Sequence, residues 1–566
     1  MMNRELLKQK PFYLDEAKIN WVESTLNTMS EDEKIGQLFC ACVRAGTLEE
    51  LQGLQEITPF GGVMYRPLPA ETCVELTNYL NNLKVPALIA ADLEHGGNII
   101  EPNGTLFGAQ LAAAATRDTG MAEKLAAVCA EEGRAVGINW AFAPDADLDL
   151  NWRNPITNCR TYGSDPELTA QMISAYVKKM QSYGMAASCK HFPGDGVDER
   201  DHHLVTNVNS LSTDEWDETY GKVYRVAIDA GTMSIMVAHI VQPAYIRHFN
   251  PDIKDEDMMP ASLSKELMVN LLREKLGFNG LIVTDATTMS GFTIPMPRNL
   301  SVPTAIANGA DVFLFSRNMA EDVSFMKEGV RSGLITQERL NDAVTRILAM
   351  KAALGLDKPQ KTYTLAEAET KIGTPEHHAW AKECADRSIT LVKEEKGVLP
   401  FTPERYPRIM YFPLKASYNQ PAPGHEDACD TFLKMLEKEG FEVTVFNDSK
   451  ALEGRLAPTT DFVGKYDAMI YAANYPIKSG ETVVRIEWTN PLGSNCPHFL
   501  TTIPNIFVSF GNPYHLVDAP RIRTYINAYA NNQESLNAVM DKLTGRSSFT
   551  GVSPVDSFCG KWDTRL

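Results

Sequence analysis

Residues 185–203 read MAASCKHFPGDGVDERDHH, and this stretch indicates how the chain is built. The apolar run 185–189 passes into Lys190 and His191, and a loop with one proline and two glycines follows before Asp-His-His at 201–203. A strand that ends in Lys-His and enters a charged loop is poor core material. Loops held by a rigid scaffold commonly carry binding and catalytic groups. The stretch therefore predicts a buried strand that presents a functional loop.

Seven further apolar segments have the length and the β-branched or small residues of a buried strand. Helix-like segments such as 122–134, 166–182 and 213–230 separate most of them, and this alternation predicts parallel strands with crossover helices. Eight such units over about 320 residues favour a (β/α)8, TIM-like barrel. A doubly wound sheet is the alternative, but it would more often carry a GxGxxG fingerprint, which the sequence lacks. The eight predicted strands are 36–43, 61–66, 87–92, 137–144, 185–191, 234–239, 280–285 and 311–316.

A second, smaller α/β pattern follows the barrel. We predict a barrel domain over 1–355, a linker with a connecting helix over 356–385, and an α/β sandwich domain over 386–566. No constellation in the C-terminal part demands chemistry, and its His425 and His515 are interpreted as surface residues. Its predicted strands are 408–412, 441–446, 468–473, 506–510 and 525–531.

Composition narrows the class of protein. The 566 residues are 44% hydrophobic and 22% charged, which is typical of a globular protein with sizeable cores. The net charge of −18 argues against a nucleic-acid or anionic-membrane partner. No apolar run approaches the ~20 residues of a membrane helix, and the N-terminus lacks an apolar signal region. Ten cysteines without a CxxC pair suit free thiols in a cytoplasmic enzyme. The sequence does not indicate an oligomeric state.

Ionisable residues follow five of the predicted strands. Barrel active sites are built at the carboxyl ends of the strands. Charges scattered over a surface would not recur at the same end of successive strands. The residues at these ends therefore predict a single catalytic face. They are Asp92, then Asp145, Asp147 and Asp149, then Lys190 and His191, then His239, and finally Asp285.

Two kinds of hydrolysis could use these side chains. Histidine and aspartate are metal ligands, but the sequence has no HExxH motif, and Lys190 beside His191 would repel a cation. Glycoside hydrolysis needs one ionised carboxylate as nucleophile and a second group that gives and then takes a proton. The second chemistry fits better, and we expect neither a metal nor another cofactor.

The loop at 190–203 also resembles a known signature. KHFPGDGVDERDHH is similar to the KHFPGHG-x4-D-S-H pattern of the β-N-acetylglucosaminidase branch of glycoside hydrolase family 3. Further family motifs occur in the same order along the chain. They are DLEHGG at 92–97, NP at 154–155, RTYG at 160–163, PASLS at 260–264, LGFNG at 276–280 and VTD at 283–285.

The resemblance implies a retaining mechanism in which Asp285 is the nucleophile and Asp201 with His203 forms the acid/base dyad. The spacing gives the dyad an independent argument, because residues i and i+2 of an extended segment point to the same side. Asp201 is then expected to orient His203, and His202 to point elsewhere. A histidine suits proton transfer because its ordinary pKa of about 6.5 lies near working pH.

The same resemblance implies a grip on the terminal sugar by Asp92, Arg160, Lys190 and His191, with His239 supporting the site. An alternative role for Arg160 is a salt bridge to one of the carboxylates at 145–149. Two departures from the family pattern bear on the specificity. Asp195 replaces its second histidine, and Asn98 replaces the arginine that follows E-x-G-G, so a muropeptide or chitobiose preference is not carried over to this chain.

We therefore expect an exo-acting β-N-acetylglucosaminidase for a small GlcNAc-containing glycoside, in cell-wall recycling or amino-sugar salvage. A β-glucosidase of the same family is one alternative, and it is disfavoured because that branch lacks the D-x-H dyad. Phosphorolysis is another, because a histidine acid/base does not repel phosphate as a carboxylate does. A non-catalytic sugar-binding protein is the alternative from a different class.

Overall fold

Two compact units make up the chain. The computed structural model describes residues 3–419, 421, 426–446, 458–489 and 493–566. The first unit comprises Met1–Leu106, Ala122–Asn151 and Pro166–His378, and the second comprises Phe107–Met121, Trp152–Asp165 and Ala379–Leu566. Two segments of the second unit, 107–121 and 152–165, thus precede the predicted domain boundary at residue 355.

The first unit contains an eight-stranded parallel sheet. In space the strands run in the order β7-β6-β5-β4-β3-β2-β1-β8, and a parallel bridge from Val283 to Val312 joins the two ends of this row. The predicted TIM-like barrel is therefore confirmed. In chain order the strands are β1 (Phe39–Val43), β2 (Gly62–Tyr65), β3 (Leu88–Ala91), β4 (Trp140–Ala141), β5 (Ala186–Phe192), β6 (Ser234–Val237), β7 (Leu281–Thr284) and β8 (Phe313–Leu314).

Each predicted strand segment contains one of these strands, but β4 and β8 are only two residues long. The predicted extent of 137–144 is wrong for β4. Regular pairing ends at Ala141, although Phe142 N still donates to Ala91 O (2.9 Å) and Ser188 N to Ala143 O (2.9 Å). The backbone still runs beside β5, because Asp145 forms an isolated parallel bridge with Lys190.

Helices alternate with the strands of the barrel. The first helix after the N-terminal pair begins at a capping box, in which Ser30 Oγ accepts from Glu33 N (3.2 Å) and Glu33 Oε2 accepts from Ser30 N (2.8 Å). The helices up to residue 388 are Arg4–Lys8, Glu16–Thr28, Glu31–Gln37, Leu48–Ile57, Ala70–Asn81, Gln110–Ala115, Thr119–Ala135, Pro166–Ser182, Thr213–Glu218, Tyr220–Asp229, Pro243–Phe249, Glu266–Lys275, Ser290–Thr293, Arg298–Ala307, Met319–Arg331, Gln337–Ala353, Leu365–Glu369 and Pro375–Ser388.

The second unit is built on a six-stranded sheet in the order β9-β14-β13-β12-β10-β11, parallel except at β9. Alternate residues of β10 enter different cores: Tyr411 packs in the same cluster as Phe432, and Met410 in the same cluster as Phe507. Both faces of the sheet are therefore covered. The strands are β9 (Thr390–Lys393), β10 (Arg408–Lys415), β11 (Glu442–Val445), β12 (Ala468–Asn474), β13 (Asn505–Ser509) and β14 (Tyr525–Asn527), and the longer helices after residue 388 are Ala428–Glu439 and Gln533–Leu543.

Several smaller predictions are settled by the structure. His515 is buried beside Tyr475 and Phe507, so its interpretation as a surface residue is wrong; the aromatic rings provide an apolar pocket that a single histidine in the sequence does not reveal. His425 lies outside the described residues. All ten cysteines are free. Among the described residues, no helix has the length and apolarity needed to cross a membrane.

Candidate active site

Four of the barrel strands bring the predicted site residues of the first unit to one end of the sheet. Asp92 follows β3, Lys190 and His191 lie near the carboxyl end of β5, His239 follows β6, and Asp285 follows β7. Because the strands are parallel, their carboxyl ends share one face. Arg160 lies in the segment 152–165 of the second unit, and its role in sugar binding stays a prediction.

Asp285 is a buried carboxylate with one oxygen held and one oxygen open. Its Oδ1 accepts a hydrogen bond from Ala286 N at 2.6 Å, whereas Oδ2 makes no hydrogen bond to the part of the chain that the structure describes. Burial raises the pKa of Asp285, but the surrounding imidazoles of His202, His191 and His239 lower it by a larger amount. The pKa of Asp285 therefore lies below its ordinary value. Asp285 is therefore ionised at neutral pH.

Asp201 and His203 form a tight pair on the loop after β5. His203 Nδ1 donates to Asp201 Oδ1 at 2.6 Å, and the same oxygen accepts from the His203 backbone N at 2.8 Å. The predicted extended conformation is wrong, because residues 202–204 form a turn. The pair forms instead because an aspartate side chain readily caps the backbone two residues on. Asp201 is fully buried, whereas 27% of the His203 side chain is exposed.

Lys190 lies between two carboxylates. Its Nζ is 3.2 Å from Asp92 Oδ1 and 2.5 Å from Glu94 Oε1. The Lys190 side chain is only 3% exposed, while that of Asp92 is 38% exposed and so faces the open end of the site. Asn98 closes the same loop, since its Nδ2 donates to Asp92 O (3.1 Å) and its Oδ1 accepts from His95 N (3.3 Å). The residue that departs from the family pattern therefore has a structural role here.

His191 is oriented from behind by Asp147. His191 Nδ1 donates to Asp147 Oδ2 at 2.7 Å, and the two backbone amides of His191 and Asp195 donate to Asp147 Oδ1 at 3.1 and 2.7 Å. In the neutral ring this leaves His191 Nε2 as an acceptor. The peptide bond between Lys190 and His191 is cis.

His239 carries its proton on the other nitrogen. Ala286 O can only accept, so His239 Nε2 donates to it (3.1 Å), and Nδ1 accepts from the Ser262 hydroxyl (2.8 Å). Burial lowers the pKa of His239 to about 4, so the ring is neutral at pH 7. His239 is therefore hydrogen-bonded to the backbone of the residue that follows Asp285.

One residue that the sequence did not place, His202, lies beneath these groups. His202 is completely buried, with ring centroids 5.3 Å from His191 and 4.9 Å from His203. Its Nε2 lies 3.9 Å from Asp285 Oδ2 and 3.8 Å from Asp195 Oδ2. Burial, and then the neighbouring His203, lowers the pKa of His202 well below its ordinary value. His202 therefore lies against the dyad, and the expectation that it points elsewhere is wrong, because that expectation assumed an extended segment where the chain forms a turn.

Glu94 and His202 were missed as site residues by sequence reasoning, and Asp147 was placed on the catalytic face without a role. Glu94 could have been found, because it lies two positions after Asp92 and so on the same side of an extended segment. Asp147 had the signal of a strand-end carboxylate, but its partner His191 is distant in sequence. The position of His202 depends on a turn that the sequence does not announce.

Metal-ligating atoms also lie close together here. His191 Nδ1 and His203 Nδ1 each donate to a carboxylate, so hydrogen bonding between the side chains accounts for these contacts, and we assign no metal. Three groups have their ligand atoms within 4.8 Å of one another: His191, His202 and Asp285; Asp201, His202 and His203; and Asp145, Asp147 and His191.

Comparison with known proteins gives the family. Residues 31–350 match the glycosyl hydrolase family 3 N terminal domain. The chain belongs to glycoside hydrolase family 3. A curated relative from Cellulomonas fimi, named beta-N-acetylglucosaminidase/beta-glucosidase, is 47% identical over 562 residues, covering 99% of this chain and all of that protein.

Solved family 3 structures share this fold. A structure described as beta-glucoside phosphorylase BglX is 44% identical, with a TM-score of 0.93 and full coverage of both chains. A family 3 beta-N-acetylglucosaminidase from Paenibacillus sp. str. FPU-7 is 24% identical, with a TM-score of 0.80 over 94% of this chain, and shows likeness of fold alone. Family membership makes this chain a glycoside hydrolase family enzyme of barrel type, acting on a carbohydrate.

Proposed function

We propose that this protein is a retaining, exo-acting β-glycosidase that removes terminal β-linked N-acetylglucosamine and glucose through a glycosyl–Asp285 intermediate. One observation carries the proposal: an ionised, buried carboxylate with an open oxygen shares a site with a partly exposed histidine that a buried carboxylate orients. The full-length relative whose name combines both activities supports the inclusion of glucosides, against the exclusive preference expected from the signature alone.

In the first step Asp285 Oδ2 attacks the anomeric carbon, and the bond to the leaving oxygen breaks. His203 Nε2–H gives its proton to that oxygen, because Nδ1 is already bound to Asp201. The Asp201 carboxylate stabilises the imidazolium that must be present beforehand, as a triad aspartate does for its histidine. Inversion at carbon leaves a covalent ester.

In the second step the neutral His203 Nε2 takes a proton from water, and the water oxygen attacks the anomeric carbon. The ester bond to Asp285 breaks and the carboxylate returns. A second inversion restores the β configuration. Asp92, Lys190 and His191 bind hydroxyls of the terminal sugar, with Lys190 held rigid by its two carboxylate partners.

The test uses aryl β-N-acetylglucosaminide and aryl β-glucoside as substrates. We expect turnover of both, and an Asp285→Ala variant should lose at least about 10³-fold in kcat while keeping its folded spectrum. A fluorinated glycosyl fluoride should label Asp285 in a peptide map. A largely active Asp285→Ala enzyme, or a label on another residue, would overturn the mechanism; absence of turnover on either sugar would overturn the substrate assignment.

Phosphorolysis is a second candidate, favoured by the histidine dyad and by the 44% identical protein described as a phosphorylase. After the first step His203 is neutral, so an incoming phosphate meets no carboxylate at the acid/base position. We expect that adding phosphate at millimolar concentration raises the rate of the second step and yields a glycosyl phosphate. Chromatography of the products separates the two reactions: free sugar alone would exclude phosphorolysis.

A further inference from the structure

Two departures from the family signature lie against each other in the site. The signature that this loop resembles has histidine and serine at the positions of Asp195 and His202. In the structure the His202 Nε2 atom is 3.8 Å from Asp195 Oδ2 and 3.9 Å from Asp285 Oδ2. Compared with the signature, the histidine stands seven positions later in the loop. Its imidazole lies between the carboxylates of Asp285 and Asp195.

We propose that His202 is a positioning residue whose Nε2–H changes its hydrogen-bond acceptor during the reaction. It donates to Asp195 while Asp285 loses its charge, and to Asp285 as that charge returns. The proposal rests on the function assigned above to Asp285. At 3.8 and 3.9 Å neither contact is yet a hydrogen bond. A displacement of about 1 Å toward either oxygen would make one, since such bonds measure about 2.7–3.2 Å.

The surroundings of His202 suit a hydrogen-bond donor that has two possible acceptors. Neither of its ring nitrogens bonds to any residue that the structure describes. The ring is fully buried, so a proton on Nε2 that faces two carboxylates is the favoured neutral form. Asp195 is held in place, because its Oδ1 accepts from Gly196 N at 2.6 Å and from Asn207 Nδ2 at 3.2 Å.

The consequence for catalysis differs between the two steps. A hydrogen bond to Asp285 in the free enzyme would weaken it as a nucleophile, so during the first step the donor is better placed on Asp195. When the glycosyl ester breaks, charge returns to Asp285, and a donor that moves back stabilises the departing carboxylate. Only interactions that are stronger in the transition state than in the ground state raise the rate, and the hydrogen bond that forms to Asp285 as the ester breaks meets this condition in the second step.

The experiment measures both steps in four variants. For dinitrophenyl glycosides, which need no proton, kcat reports the second step; for phenyl glycosides, kcat/KM reports the first. We expect His202→Asn to slow the second step by about 10- to 100-fold, the worth of a charge-assisted hydrogen bond, with a smaller effect on the first. His202→Gln, whose amide reaches the Nε2 position, should recover most of that loss.

Asp195→Asn should show the opposite partition, with the first step slowed more than the second, because His202 then stays on Asp285. Tyr224→Phe is the matched control: the buried Tyr224 ring lies on the helix Tyr220–Asp229 and packs on Phe192, so both steps should keep their wild-type rates. Equal slowing of the two steps in His202→Asn and Asp195→Asn, or no difference between Asn and Gln at 202, would overturn the inference. A label on Asp285 with no partition refutes this inference alone, whereas a label elsewhere refutes the proposed function.

Discussion

His203 is the one histidine of the site with a quarter of its side chain open to solvent, while His191, His202 and His239 are buried. A proton donor must reach the leaving oxygen, so exposure and the grip of Asp201 on Nδ1 together suit His203 for that role.

Replacing His203 by alanine should therefore affect substrates according to their leaving group. We expect kcat/KM to fall by about 10²- to 10⁴-fold for phenyl or alkyl glycosides and by far less for dinitrophenyl glycosides, because the latter leave without a proton. A plot of log kcat/KM against the leaving-group pKa should steepen in the variant. An unchanged slope would assign the proton transfer to another residue.

His239 makes stability depend on pH. Its pKa is about 4 in the folded chain, against about 6.5 when unfolded. The contribution of the neutral ring is fully present above pH 6.5 and is lost as the pH falls from 6.5 to 4, up to about 3 kcal/mol. We expect the melting temperature of His239→Gln to fall less than that of the wild type between pH 7 and 4.5. The exposed His248 provides the control: His248→Gln should keep the wild-type pH dependence, and an equally steep fall in His239→Gln would contradict the assignment.

At this scale the sequence predicts best where a residue type and a strand end coincide. Asp285, Lys190 and His239 needed only the phase of the strands to be brought together, because parallel strands end on one face. The environment of His202 could not be predicted, since it depends on a tight turn and on packing between elements that are distant in sequence.

The loop after β3 is held by a single buried glutamate of the helix Thr119–Ala135. Glu132 Oε2 accepts from Thr105 N (2.9 Å), and its Oε1 accepts from Thr105 Oγ1 (2.6 Å) and His377 Nδ1 (2.8 Å). A Cβ added to Gly97 would lie 1.7 Å from Glu132 Oε2. The glycine is needed for this close approach, and the loop it belongs to carries Asp92.

Gly97→Ala should therefore displace the loop and weaken sugar binding. We expect a loss of about 10- to 100-fold in kcat/KM, mostly as a higher KM, because small misplacements of binding groups have large effects. Gly53→Ala is the control, since a Cβ there meets nothing within 4 Å and lies in the helix Leu48–Ile57. Kinetics and melting curves of the two variants decide the matter; a wild-type KM in Gly97→Ala would show that the loop tolerates the strain.

The presence of each barrel strand could be predicted from the sequence more fully than its length. The alternation of apolar runs and helical segments indicated all eight barrel strands, because a buried parallel strand needs a continuous apolar run. The two-residue lengths of β4 and β8 depend on pairing with strands that are distant in sequence, which local composition does not encode. The antiparallel strand β9 is not among the predicted strands, since four residues carry little periodicity.

At the scale of the whole molecule, the second unit is assembled from three separate stretches of chain. Val552 N donates to Ala115 O (2.9 Å), and Ser164 N donates to Pro554 O (3.2 Å), so both early segments bond to residues near the C-terminus. The six residues of the helix Gln110–Ala115 are all buried.

A chain shortened to 1–378 should consequently fail to behave as an independent barrel. Its segments 107–121 and 152–165 would lose the partners that cover them, and exposed apolar surface promotes association. We expect aggregation in light scattering and strong binding of a hydrophobic dye, whereas co-expression with 379–566 should restore a soluble complex. A monomeric, dye-free 1–378 fragment would show that these segments are not required to be covered.

The three-part assembly of the second unit also sets an order of events on the ribosome. Residues 107–121 emerge early, but their partners near 552 are made only after more than two thirds of the chain has been translated. At a synthesis rate of about 5–20 residues per second, translation of the intervening chain takes roughly 20 to 80 s. Nascent chains of this protein must therefore pass through a long interval in which the helix Gln110–Ala115 lacks the partners near residue 552 that complete the second unit.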